Sequence, residues 1–76
     1  MISQKELKEY GFKGLDQYFE MMAESRLNGN FTQHHEQVKR LSLPQKVDAI
    51  RYFMRNECNE ATTANFKTID IILDTI

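Results

Sequence analysis

SLPQKVDAIRYFMRNEC, residues 42–58, is the sequence of an amphipathic helix with a well-marked start. Ser42 and Gln45 have the spacing of a capping box, in which each side chain accepts a free amide hydrogen from the other residue. Pro44 fits the first turn, where its missing amide hydrogen is not needed. Apolar residues then recur at helical spacing, and they predict a buried face made of Leu43, Val47, Ile50, Phe53, Met54 and Cys58.

The phase of the apolar pattern indicates that this helix does not continue to the C-terminus. A straight helix keeps its apolar residues on one side. The next apolar set lies roughly 80° around the helix from the first when both are counted at 3.6 residues per turn. We therefore predict a break near Asn59, a residue type favoured at helix N-caps. This second set comprises Phe66, Ile69, Ile72, Leu73 and Ile76.

Three further helices are predicted before residue 42. A second capping box, Ser3 with Glu6, begins a short helix that Gly11 ends. The apolar spacing of the following residues predicts a helix that closes at Gly29, because glycine readily takes the left-handed conformation found there. Its apolar residues are Leu15, Tyr18, Phe19, Met22, Ala23 and Leu27.

The third helix is predicted to start at Asn30, which has Gln33 three residues on as a capping partner. Its apolar side contains Phe31, Val38 and Leu41, with the two histidines His34 and His35 beside them.

Together these signals predict an all-α fold, a compact bundle of about five short helices in one domain, residues 1–76. The helices are expected at approximately residues 4–10, 15–28, 31–41, 43–57 and 60–75. A chain of this length buries only roughly 60% of its unfolded surface. A partner or a second copy would therefore add useful stability.

The sequence contains no signal for a membrane or for an oxidising compartment. Its single cysteine, Cys58, has no partner for an internal disulfide, and no charged leader opens the chain. Its apolar runs are far shorter than the roughly 20 residues of a membrane-spanning helix. We expect a cytoplasmic protein without membrane contact.

Catalytic and metal-binding patterns are missing from the sequence. His34, His35 and Cys58 are its only soft metal ligands, and adjacent histidines on a helix point about 100° apart. Phosphate loops and dinucleotide glycine motifs do not occur. We expect no enzyme activity, cofactor, metal or small-molecule substrate. Both histidines are expected to be partly buried, and if they are buried neutral, stability should fall below about pH 6.

Charge is unevenly distributed along a chain whose net charge is −1. Residues 26–55 carry six Lys or Arg against two Asp or Glu, whereas both ends are acidic. Ordinary solvated helix surfaces explain this. The alternative is a nucleic-acid site formed by Arg26, Lys39, Arg40, Arg51 and Arg55. A helix-turn-helix aligned on Gly29 fits poorly, because His35 falls where an apolar residue is needed.

Apolar residues outside the predicted buried faces point to a protein partner. We assign Met21, Tyr52 and Ile71 to partner binding, and we expect Ile71→Glu and Tyr52→Ala to weaken binding while preserving the fold. The last helix also repeats apolar residues with the 3-4-3 spacing of a heptad seam, Phe66, Ile69, Leu73 and Ile76. We hypothesise that this helix presents an apolar face to a second copy or a different protein. The alternative is that the face closes the bundle, with Leu73 in the core.

The function expected from these features is that of a small non-enzymatic interaction module, a regulator or inhibitor that binds a protein partner or a second copy of itself as a homodimer. A short helical chain rich in Asn, Lys and Ile is typical of accessory proteins of phages and other mobile elements. The alternatives are a small nucleic-acid-binding regulator that uses residues 26–55 and a structural subunit of a larger assembly.

Overall fold

The computed structural model describes residues 1–55 and 62–76, and within them the chain forms five α-helices and no strand. The helices are α1 (Gln4–Glu9), α2 (Leu15–Leu27), α3 (Phe31–Lys39), α4 (Leu43–Arg55) and α5 (Thr62–Asp74). The predicted all-α fold is confirmed. The predicted break at Asn59, the adjoining ends of its two helices, and Cys58 lie outside the described residues.

Local signals at the helix ends act largely as predicted. The Ser42–Gln45 capping box is complete: Gln45 N donates to Ser42 Oγ at 3.3 Å, and Ser42 N donates to Gln45 Oε1 at 3.0 Å. Gly11 and Gly29 have φ angles of 79° and 77°, in the left-handed region that favours glycine. Asn30 is the N-cap residue of α3 as predicted, but its side chain does not make the capping hydrogen bond that was expected of it.

The core forms around α2, which contributes Tyr18, Phe19 and Met22. Two buried hydrogen bonds hold α3 against its neighbours. Tyr18 Oη donates to Gln37 O at 2.8 Å, and His34 Nε2 lies 2.9 Å from Thr68 Oγ1 of α5. The radius of gyration is 11.4 Å, equal to the value of about 11 Å expected for a folded chain of this length. Other core residues are Ile2, Leu7, Ala23, Val38, Leu41, Ala49, Phe53, Ala64 and Ile72.

Gln45 connects the start of α4 to the N-terminus of the chain. Its side chain accepts from Ile2 N at 3.0 Å and donates to Ile2 O at 2.7 Å. We expect Gln45→Ala to lower the free energy of unfolding by about 1–2 kcal/mol, because these partly buried backbone groups lose their partners. Gln33→Ala on the exposed side of α3 is the matched control, with an expected change within about 0.5 kcal/mol. Urea denaturation measures both, and equal losses would contradict this role for Gln45.

The buried side of α4 is rotated from the predicted one. Ala49 and Phe53 are buried, but Leu43, Val47 and Met54 are exposed, in contrast to their prediction as core residues. Tyr52 accounts for the rotation. Its ring lies 5.4 Å from that of Phe19 and 5.2 Å from that of Phe53, and its hydroxyl donates to Glu20. This aromatic cluster draws the Tyr52 side of α4 toward α2.

The residues predicted to lie outside the packing are half-buried. Met21, Tyr52 and Ile71 all pack against the core. The prediction that these partner-binding residues are exposed is therefore wrong. Conversely, Leu27, Phe31 and Leu73 were predicted to be buried and are exposed. Helical spacing identifies an apolar stripe, but only the neighbouring helices determine which edge of the stripe is covered. The role of Met21, Tyr52 and Ile71 in partner binding stays a prediction.

Candidate functional site

Most of the large apolar side chains that are exposed among the described residues lie on α4, on α5 or just after α5. Met54, Phe66, Leu73 and Ile76 are 60%, 58%, 55% and 61% exposed. Leu43 and Val47 are exposed as well, and the half-buried Ile50 and Ile69 pack against the core beside them. We call the six exposed side chains the exposed apolar face: Leu43, Val47 and Met54 of α4, Phe66 and Leu73 of α5, and Ile76 just after the end of α5.

Each helix contributes one continuous stripe to this surface. At about 100° per residue, the three side chains of α4 fall within about 40° of one another. On α5, Phe66 and Leu73 fall within about 20° of each other, and Ile76 follows the end of the helix. No charged residue interrupts either stripe. The predicted heptad seam of α5 is therefore an exposed stripe, except for its half-buried member Ile69.

The two stripes lie side by side along the seam between α4 and α5. These helices pack against each other more extensively than any other pair. They run antiparallel, since Lys46 Nζ near the start of α4 donates to Thr75 O, just after α5, at 3.4 Å. On α4, Tyr52 contacts α2 from one side of the buried residues, and the stripe lies on the other side. On α5, Thr68 is a buried residue that contacts α3, and the stripe lies on the side of the buried residues away from α3. Both stripes consequently border the seam.

Charges of opposite sign border the exposed apolar face. Along the outer edge of α4 lie Arg51 and Arg55, and Arg55 Nε donates to Arg51 O at 3.3 Å. Along the outer edge of α5 lie Asp70 and Asp74. Farther out, Asp48 and Lys67 carry the reverse signs. Each of them lies about 100° beyond the stripe residue that it follows, and so do Arg55 and Asp74. Arg51 and Asp70, each about 40° beyond a stripe residue, are the charges nearest the stripes on their outer edges. In the part of the chain that the structure describes, Arg51, Asp70 and Asp74 form no ion pair.

The five basic residues proposed for nucleic-acid binding have different surroundings. Arg40 forms an ion pair with Glu6, which raises the pKa of its guanidinium. The guanidinium of Arg26 lies 4.1 Å from the centre of the Phe31 ring, in a cation–π contact. Lys39 is exposed at the end of α3, and Arg51 and Arg55 lie on α4. Arg26, Arg40 and Arg55 are thus held by contacts within the fold.

An open cleft of about 370 Å³ lies where α2, α3 and α5 meet. Arg26 and Glu36 place opposite charges on its wall. Ile71, which the sequence analysis assigned to a partner surface, lines this cleft and not the exposed apolar face. The remaining lining residues are Phe31, Thr32 and His35.

The two histidines have contrasting environments, although both were expected to be partly buried. His34 is completely buried and His35 is exposed. Burial lowers the pKa of His34 from 6.5 to about 4, with smaller contributions from the positive charges of Arg26 and His35. Within residues 1–55 and 62–76, no group of three or more His, Cys, Asp or Glu is placed to hold a metal ion.

Tyr52 and Tyr18 are neutral phenols over the whole range in which proteins usually work. Burial is the largest cause that raises the pKa of each to about 12, and for Tyr52 the carboxylate of Glu20 is among the causes of that rise. Both hydroxyls donate hydrogen bonds that join helices, to Gln37 O and to Glu20 Oε1. Their chemistry is that of structural donors.

The described helices include none that is long and apolar enough to cross a membrane. The exposed apolar face is instead a two-helix surface with a charged border. Interpretation of this surface depends on its geometry and chemistry alone: comparison with family models, curated proteins and solved structures found no significant match.

Proposed function

We propose that this protein is a small non-enzymatic interaction module, a cytoplasmic regulator or inhibitor that binds protein through the exposed apolar face. The observation that carries the proposal is the concentration of exposed apolar side chains on two adjacent helices. Single exposed apolar residues are common on protein surfaces, but a contiguous patch rimmed by charges is typical of protein-binding sites.

The side chains of this surface suit a protein ligand. Methionine and phenylalanine are enriched in the buried centres of protein interfaces, where Met adapts its shape to the partner. Met54 and Phe66 occupy corresponding ends of the two stripes, and Leu73 continues the α5 stripe. The charged edges would remain at the rim, where they guide orientation more than they add affinity.

Affinity capture with matched variants tests the proposal. Tagged wild-type protein, Leu73→Glu and Leu27→Glu are each incubated with nuclease-treated lysate of the source cells. Leu27 is the control because it is 59% exposed but lies on α2, outside the exposed apolar face. We expect Leu73→Glu to reduce the yield of a stoichiometric bound protein about tenfold or more, since a charge replaces a central apolar contact. Leu27→Glu should capture as much as wild type.

The outcomes separate protein binding from nucleic-acid binding. Equal capture by all three forms would overturn the role of the exposed apolar face. Recovery of nucleic acid without nuclease, and its loss at raised salt, would favour the alternative site that includes Arg26 and Lys39, because phosphate contacts weaken steeply with ionic strength. Circular dichroism of each variant must match that of wild type, so that lost capture reflects the surface and not the fold.

A further inference from the structure

We infer that the occupant of the exposed apolar face is a second copy of this chain, which packs face to face about a twofold axis parallel to α4 and α5. This inference rests on the proposed function and names its partner. In the resulting dimer, α4 of each copy lies antiparallel on α5 of the other copy. The six exposed apolar side chains of each copy form the centre of a four-helix interface.

The charged edges select this arrangement from the two that twofold symmetry permits. A twofold axis along the helices places α4 on the partner's α5, so the edge on which Arg51 lies nearest the stripe meets the edge on which Asp70 lies nearest the stripe. A twofold axis across the helices would place α4 on the partner's α4, with arginines facing arginines. Opposite charges at the rim favour the first arrangement, and like charges disfavour the second.

The height of each residue along the helices identifies the facing pairs. We take Lys46 and Thr75 as level, because the Lys46 ammonium donates a hydrogen bond to Thr75 O. Because the helices are antiparallel, a step of five residues forward along α4 and a step of five residues back along α5 go in the same direction. Each step covers about 7.5 Å at 1.5 Å per residue. Arg51 is therefore level with Asp70. Rotation about an axis along the helices preserves height, so Arg51 of each copy faces the partner's Asp70 across the interface.

The size of the surface predicts a reversible dimer of modest affinity. Each helix has 13 residues. Helices of this length measure about 20 Å and pack 8–10 Å apart, so the face has a footprint on the order of 400 Å². The area buried by two such surfaces is below about 1,200 Å² in total, the size range of specific interfaces in which complexes are weak and transient. The dissociation constant is expected in the micromolar range.

Sedimentation equilibrium of the purified full chain tests the inference. From micromolar to near-millimolar concentration, the mass should rise from 9.0 kDa toward twice that value. Arg51→Asp and Asp70→Arg should each weaken the dimer about tenfold or more, because symmetry repeats every repulsive pair. The double variant, with the charges exchanged, should return to within about threefold of wild type. Leu73→Glu should abolish the dimer, and Leu27→Glu should leave it unchanged.

Each other outcome overturns the arrangement. A wild-type mass of 9.0 kDa at every concentration would exclude the second copy. An Arg51→Asp dimer as tight as wild type would exclude the facing of Arg51 and the partner's Asp70, because this substitution would otherwise create two repulsive pairs. A double variant as weak as either single variant would refute the pairing of Arg51 with Asp70. The proposed function fails separately, when capture from lysate does not depend on Leu73.

Discussion

Phe53→Ala is expected to lower the free energy of unfolding by about 3–5 kcal/mol, because it removes a buried aromatic ring and leaves a cavity. Phe53 is 2% exposed, and its ring lies 6.1 Å from that of Phe19 in the centre of the bundle. A core of this size rarely supplies more than about 3–5 kcal/mol of net stability. The variant should therefore be largely unfolded at room temperature.

Met54→Ala is the matched control in the adjacent position. Met54 is 60% exposed, so its truncation should change the free energy of unfolding by less than about 0.5 kcal/mol. Urea denaturation followed by circular dichroism, at protein concentrations below dimer formation, measures both variants. A large loss for Met54→Ala would mean that the sequence-based buried face of α4 is correct and that the rotation seen here is not.

The contrast between these neighbours marks the limit of inference from sequence. Phe53 and Met54 both belong to the apolar face that the sequence predicts for α4. This predicted face spans more of the helix circumference than one neighbouring helix can cover. The half that is covered depends on α2, which contacts α4 through Tyr52. That contact joins residues more than 30 positions apart, and periodicity within one helix contains no information about it.

Local signals are read from sequence more successfully. Ser42 and Gln45 form their capping box, and Gly29 closes α2, because these effects involve only neighbouring residues. For the same reason the apolar stripe of α5 was found from spacing alone. Its border of Arg51 and Asp70 was not found, because these residues become neighbours of one surface only when α4 packs beside α5.

His34 and His35 show that the same limit of inference from sequence applies to the protein interior. They flank the apolar stripe of α3 on either side, and only the position of α5 determines which one is buried. Thr68 of α5 donates its hydroxyl hydrogen to Ala64 O at 2.8 Å, so it accepts from His34 Nε2 at 2.9 Å. The proton therefore resides on Nε2. His34 Nδ1 is buried and has no hydrogen-bond partner among the described residues.

Acid should destabilise the fold through His34. Its pKa is about 4 in the folded protein and 6.5 when exposed. Between these values the unfolded chain binds a proton that the folded chain excludes, so stability is complete above about pH 6.5 and declines as pH falls. The loss is about 2 kcal/mol at pH 5 relative to pH 7. For a domain of this size it lowers the melting temperature by roughly 8–16 °C.

His34→Gln isolates this effect from the titration of the carboxylates. Glutamine places an amide N–H near the position of His34 Nε2, where it can donate to Thr68 Oγ1, and it does not titrate. Melting temperatures of the two proteins are measured from pH 7.5 to pH 4.5. We expect wild type to lose more stability than His34→Gln as pH falls through this range. Parallel curves would show that His34 takes up its proton as readily in the folded chain as in the unfolded chain, and the burial of its unpaired Nδ1 would then carry no cost.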